Sequence, residues 1–145
     1  MERIKNYFTA EECQSIISSC NSKRGIGIGR TEFKLPNSVK TKLVKTHGPK
    51  IEVAVQYYEP GDSCFPHRDG GNKNVPRNTD VKARKRTSSM SVLLNDDFEG
   101  GDLMVKHEKA VMNKGDATLF TPQCLHWVTG ILAGHRYVLA VWGVE

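Results

Sequence analysis

The stretch Ile51-Glu-Val-Ala-Val-Gln-Tyr-Tyr58-Glu-Pro-Gly-Asp62-Ser-Cys-Phe-Pro-His67-Arg-Asp69 decides how the chain is read. Ile51, Val53, Val55 and Tyr57 alternate with Glu52, Ala54, Gln56 and Tyr58. That period of two sends successive side chains to opposite faces of a β-strand. Glu59-Pro60-Gly61-Asp62 follows with turn chemistry, because proline presets φ and glycine accepts a positive one. The chain leaves the turn into His67-Arg68-Asp69.

Downstream the strand pattern recurs. Ser88 to Leu94 reads as a strand, Asp96 to Gly101 as a loop, and Asp102 to about His107 as a strand. Ala117 to Phe120, Leu125 to Val128 and Tyr137 to Val144 continue the series. Short strands parted by Gly, Pro and Asp turns predict a sandwich or open barrel rather than alternating β/α units. Upstream, Thr9-Ala-Glu-Glu12 forms a capping box, in which the hydroxyl and the carboxylate satisfy each other's backbone amides. It opens a helix from about Ala10 to Cys20. A second helix, Ser38 to Thr46, ends before Gly48-Pro49. The expectation is one domain over 1–145, α+β and β-rich, with helical support at about 1–49 and a β-core at about 50–145.

Composition narrows the class. With 145 residues, 38% hydrophobic and 26% charged, the chain can bury a core without staples. No apolar run approaches the roughly 18 residues of a membrane span. Met1-Glu-Arg-Ile-Lys5 has no signal-peptide stretch. Cys13, Cys20, Cys64 and Cys124 form no CxxC pair, so they read as free thiols of a reducing, cytoplasmic compartment without membrane partners. Between Asn72 and Arg86 lie Lys73, Arg77, Lys82, Arg84, Lys85 and Arg86 against Asp80 alone. Six cations less one anion equal the net charge of the whole chain, +5. This run is either a solvated loop or a substrate-facing flap that would complement an acidic peptide or a nucleic-acid backbone. Arg24-Gly-Ile-Gly-Ile-Gly-Arg30 is glycine-rich but lacks the strand and lysine of a phosphate loop.

His67 and Asp69 with the later His126 are the donor types of the 2-His-1-carboxylate set, which holds one face of non-haem Fe(II) and leaves three positions open. An HxD triplet alone is more often a surface turn, so the reading depends on its setting. Arg136 offers a fixed cation whose planar fork suits a carboxylate. Strand parity places Arg136, Val138, Ala140 and Trp142 on one face. The segment Thr129-Gly130 to Ala133-Gly134 reads as a turn returning Arg136 alongside the His126 strand.

Ordered segments extend the case. Tyr58 through Pro66-His67-Arg-Asp69 resembles the Y-x-x-G…P-H-x-D segment of the prolyl 4-hydroxylase-like 2-oxoglutarate/Fe(II) oxygenases. Arg86 through Asn95-Asp96 and Phe98-Glu-Gly-Gly101 is similar to that family's LN-D-x-x-x-GG strand and loop. Lys114-Gly115 through Phe120, His126-Trp-Val128, Gly134-His-Arg136-Tyr137 and Trp142 resemble its G-x-x-x-x-F…H-x-V…G-x-R-Y…W ending. The match runs in order from about Ile51 to Trp142, which is far more specific than any one segment.

The resemblance implies a double-stranded β-helix (jelly-roll) core with the N-terminal helices packed on one sheet. It implies Fe(II) held by His67, Asp69 and His126, and 2-oxoglutarate as co-substrate with its C5 carboxylate on Arg136. Tyr58 would line the co-substrate pocket, and Tyr57 replaces it if a bulge exchanges their faces. Members often carry a tyrosine before LN-D; here Ser91-Val-Leu-Leu94 lacks it, which shifts weight to Arg136. O2 and ascorbate as reductant complete the expected set. The implied reaction is hydroxylation of an unactivated C–H, foremost of a peptidyl proline, with succinate and CO2 released.

Two alternatives stand beside it. A nucleic-acid dealkylase of the superfamily would use the basic run 72–86, but such enzymes carry a second arginine six residues after the first, where this chain has Trp142. A non-catalytic β-barrel binding module has no use for open metal positions. His47, His107 and His135 read as structural or surface residues, with His135 on the strand face opposite Arg136. Cys124, Tyr137 and Trp142 read as core residues.

Overall fold

Period-two alternation in Ile51–Tyr58 is realised as a strand with two chemically different faces. A computed structural model of the protein describes residues 1–20, 34–70 and 85–145. In chain order these contain β1 (Glu2–Ile4), α1 (Ala10–Ser19), α2 (Asn37–His47), β2 (Ile51–Tyr58), β3 (Cys64–His67) and β4 (Arg86–Leu93). They continue with β5 (Phe98–Gly100), β6 (Leu103–Val105), β7 (Glu108–Lys109), β8 (Ala117–Phe120), β9 (His126–Val128), β10 (Ile131–Gly134) and β11 (Arg136–Val144).

The strands form antiparallel sheets: a five-stranded one ordered β1-β8-β4-β11-β2, a four-stranded one ordered β3-β9-β6-β7, and the pair β10-β5. On the outer face of the large sheet, Val55, Met90, Val92, Leu139 and Val141 pack with Phe8, Ile16, Val39 and Leu43 from the helical side. On its inner face, Tyr58 and Phe120 pack with Leu103, Val105 and Val128 of the small sheet. The architecture is the expected β-rich jelly roll with helices on one sheet.

Both helices end where their sequences dictate. The Thr9 hydroxyl accepts from the Glu12 amide at 3.1 Å and the Thr9 amide donates back to the Glu12 carboxylate at 2.9 Å. Glu12 also receives Ser38 Oγ at 2.6 Å and the Lys42 ammonium, so one carboxylate caps α1 and ties it to α2. At the other end of α2, Gly48 takes φ +91°, a region a side chain would disfavour.

Several expectations need correction. Ile131–Gly134 is a strand rather than a turn, pairing with Phe98–Gly100 inside the segment read as a loop. In consequence Arg136 does not return beside the His126 strand. Its strand β11 lies between β4 and β2, with Arg136 opposite Tyr58, whereas β9 pairs with β3 and β6 in the other sheet. The crossover uses Gly134 at φ +76°, where an added Cβ would stand 2.5 Å from the Asp97 carbonyl oxygen. β1, β3 and β7 were not foreseen, being two to four residues long.

Candidate active site

The pairing of β3 with β9 sets His67 directly opposite His126. Between Cys64 and His67 the register slips by a bulge, which re-aims side chains at a strand end. The two imidazoles stand with ring centroids 4.2 Å apart. Each Nε2 lies 3.4 Å from the same Asp69 Oδ1. One ligand atom from each of the three residues falls within 4.8 Å of the others. Among the described residues this is the cluster of His, Cys, Asp and Glu side chains that can hold a metal.

The ring orientations are set from behind. His67 Nδ1 is 3.0 Å from the Phe65 carbonyl and His126 Nδ1 is 2.9 Å from the Cys124 carbonyl. A proton on each Nδ1 satisfies those oxygens and turns both Nε2 atoms toward Asp69, where a metal would take the place of the Nε2 protons. Ser89 Oγ donates to Asp69 Oδ2 at 2.8 Å, leaving Oδ1 as the converging oxygen. Burial alone would raise the Asp69 pKa, but hydrogen bonds from His126 and His67 outweigh it and keep the carboxylate ionised. The same Asp69 bond, followed by the Cys64 contact, raises His67 to about 10 in the metal-free protein. Asp69 and His126 are buried, while the His67 side chain is 37% exposed, so His67 marks the open side. Neutral nitrogen donors, a carboxylate and an open side fit a six-coordinate Fe(II) ion.

Arg136 is 1% exposed. Its guanidinium lies 5.1 Å from the Tyr58 ring centroid, and its Nε and Nη1 have no hydrogen-bond partner among the described residues. Burial pushes its pKa down, and no ion pair reaches it among the described residues. A desolvated cation with unfilled donors fits a carboxylate-bearing ligand. Gly101, at φ +65°, leaves it room, since a Cβ there would stand 3.0 Å from Arg136 Cδ. A cavity of about 540 Å³ reaches Arg136, walled by Leu93, Gly101, Leu103 and Asn113 but by none of the triad. Leu93 contributes an apolar wall to this cavity.

Tyr58 lies with Arg136 on the inner face, fully buried, its hydroxyl 3.3 Å from Gln56 Oε1. Burial, against the opposing Arg136 charge, pushes its pKa up to about 12, so it remains a neutral phenol. Tyr57 occupies the other face, bonded to His135 Nδ1 at 2.7 Å and stacked on that ring. No bulge exchanges the two tyrosines. His47 binds Ser88 Oγ at 2.6 Å, and His107 packs edge-on to Trp127. Cys124 is buried in the inter-sheet core.

Residues 72–84 of the basic run, and 25–33, lie outside the described residues. Arg86, read as the end of that run, is instead the first residue of β4, with its side chain 9% exposed. Sequence reasoning missed Ser89 as well. Three serines sit within Ser88–Ser91, and only the β4 register selects which one meets Asp69.

Residues 53–143 match the family described as the 2OG-Fe(II) oxygenase superfamily. The chain belongs to this superfamily. The oxygenase is thus a 2-oxoglutarate-dependent dioxygenase whose cofactors are Fe(II) and 2-oxoglutarate. Its fold is similar to that of the viral collagen prolyl hydroxylase from Paramecium Bursaria Chlorella virus-1 in a 2OG complex, with TM-score 0.68 and 19% identity over 97% of this chain and 93% of that one. It is also similar to a Pseudomonas putida prolyl-4-hydroxylase, with TM-score 0.66 and 15% identity over 99% and 87%. A 2OG-Fe(II) oxygenase-family oxidoreductase from Burkholderia pseudomallei gives TM-score 0.52 and 13% identity over 74% and 50%. A search of the curated proteins finds no match. No helix among the described residues is long and apolar enough to cross a membrane.

Proposed function

We propose that this oxygenase hydroxylates a prolyl residue of a peptide or protein substrate. The observation that carries the reading is the meeting of three groups at one end, His67, Asp69 and His126, with a buried Arg136 at the other that has no ion pair among the described residues. The likeness in fold to two prolyl hydroxylases over nearly the whole chain supports the choice of substrate.

His67, Asp69 and His126 would hold Fe(II), oriented by the Phe65 and Cys124 carbonyls and by Ser89. Arg136 would bind the C5 carboxylate of 2-oxoglutarate, with Tyr58 beside it as a neutral wall. Bound Fe(II) with 2-oxoglutarate and O2 supplies the oxidising chemistry: one oxygen atom enters the substrate C–H as hydroxyl, the other enters succinate, and CO2 leaves. The protein's part is to fix the donors, anchor the diacid and keep water out with Leu103, Val105 and Val128. Four free cysteines support a reducing, cytoplasmic location.

The test is succinate formation from 2-oxoglutarate by anaerobically purified protein given Fe(II) and then air, with a panel of proline-containing peptides. The expected result is iron-dependent turnover stimulated by a peptide that gains one oxygen atom on proline. Bound Fe(II) and 2-oxoglutarate without turnover, or oxygen placed on another residue, would overturn it.

A further inference from the structure

Arg86 has no role in the site as described so far, yet its side chain is nearly as buried as the metal-site carboxylate. Its Nη1 donates to the backbone carbonyl of Asp69 at 3.1 Å. Its guanidinium carbon sits 4.0 Å from the centroid of the Trp142 ring, which it covers face-on. Its Nε lies 3.4 Å from Glu52 Oε1. The register joins these parts: Trp142 pairs with Glu52 on one side and Ser89 on the other. Asp69 is therefore held at its main chain by Arg86 and at its carboxylate by Ser89, and Arg86 covers the Trp142 ring that stands between Glu52 and Ser89 in the sheet.

Asp69 stands beyond the end of β3, where among the described residues no ladder partner fixes it apart from its amide bond to the Pro122 carbonyl. A carboxylate there needs other restraints to keep Oδ1 converged with two imidazoles. We propose that Arg86 is a positioning residue for the metal site, clamping the Asp69 main chain and the Trp142 ring so that the carboxylate is presented in one orientation. This rests on the reading of His67, Asp69 and His126 as metal ligands. Lysine cannot substitute, because a point charge on a flexible stem has neither the planar face for the indole nor the fork that serves Glu52 and Asp69 together.

Co(II) tests the idea without turnover, since its visible absorption reports both occupancy and ligand geometry. Wild type, Arg86→Lys and Glu52→Gln are titrated with Co(II), and their metal-free melting curves are recorded. Arg86→Lys is expected to melt cooperatively, to bind Co(II) about tenfold or more weakly and to shift its absorption bands. Glu52→Gln removes an ion pair but keeps the Asp69 and Trp142 contacts, so its affinity should stay within about twofold of wild type. A Lys variant equal to wild type in affinity and spectrum overturns the proposal. So does a Glu52→Gln loss as large as that of Arg86→Lys, which would make Arg86 a general packing residue. If the Lys variant does not fold, Arg86→Met takes its place, and failure of both to fold assigns Arg86 to the fold and overturns the proposal. Wild-type protein that takes up no Co(II) overturns the metal reading itself, a failure visible before any variant is compared.

Discussion

Arg136 is the residue whose energetics are least comfortable. A guanidinium taken out of water without a counterion costs several kcal/mol, and this one is 1% exposed with two nitrogens unfilled. The cost is tolerable if the site spends its working life with an anion bound. Arg136→Met keeps most of the volume and removes the charge, so the ligand-free variant should melt higher than wild type. The same variant should raise the KM for 2-oxoglutarate by about 30-fold or more, the scale of a lost buried charged hydrogen bond, with Co(II) affinity unchanged. A lower melting temperature together with an unchanged KM would refute both the strain and the anchor. Ser89→Ala tests the other end of the site. It deprives Asp69 Oδ2 of its donor and should weaken Co(II) binding about 10- to 100-fold, whereas Ser91→Ala on the same face should not. His67, Asp69 and His126, which the fold brings together, and Arg136 stand out as candidates in the sequence only because ordered family-like segments surround them. Ser89 and Arg86 do not, since a serine among serines and a cation at the end of a cationic run acquire meaning only from what β4 places beside them.

At the scale of elements, Glu12 joins two helices through one carboxylate. Burial would raise its pKa, but Lys42, Ser38 and the Thr9 amide outweigh that and bring it to about 2, against an ordinary value of 4.5. A depressed carboxylate contributes stability that is complete above the unfolded pKa and is lost as pH falls through the folded one. Glu12→Gln should therefore melt below wild type at pH 7, by about 1–2 kcal/mol for a cap and its buried bonds. The difference should shrink as the pH is lowered from about 4.5 toward 2, and a constant gap across that window would exclude the carboxylate's charge as the cause. Gly134→Ala tests the crossover into β11: positive φ and a 2.5 Å approach to the Asp97 carbonyl predict clear destabilisation, measured by denaturant midpoint. Sequence reading recovers α1, α2, β2, β4, β8 and β11 from their length and period, and also the short β6 and β9, which lie within apolar runs bounded by turn residues. A strand of two or three residues such as β1 or β7 has no period to show. β10 reads as a turn in the sequence because Gly130 and Gly134 bracket it, and its pairing with β5 is a long-range fact.

Across the whole molecule, the two ends of the site belong to different sheets. His67 and His126 come from β3 and β9 of the four-stranded sheet, and Arg136 from β11 of the five-stranded one. That separation is why the expected return of Arg136 beside His126 failed, because strand periodicity fixes faces but not which sheet a strand joins. It also has a thermodynamic consequence. On the proposed reading, a diacid held by Arg136 at one end and by the metal at the other would tie the sheets together through the ligand, so metal and 2-oxoglutarate should stabilise the fold cooperatively. Any ligand that binds only the native state stabilises it by about 2.7 kcal/mol at a hundred times its Kd, which for a chain of this size corresponds to several degrees. Scanning calorimetry with Co(II) alone should give one upward shift. Co(II) with 2-oxoglutarate should give a shift larger than the sum of the two measured separately, since each ligand completes the other's site. In Arg136→Met the Co(II) shift should remain and the extra increment should vanish; in Asp69→Asn both should be lost. Strictly additive shifts in wild type would mean that the two ligands do not meet, and that the Arg136 carboxylate site serves something other than the co-substrate of the metal centre.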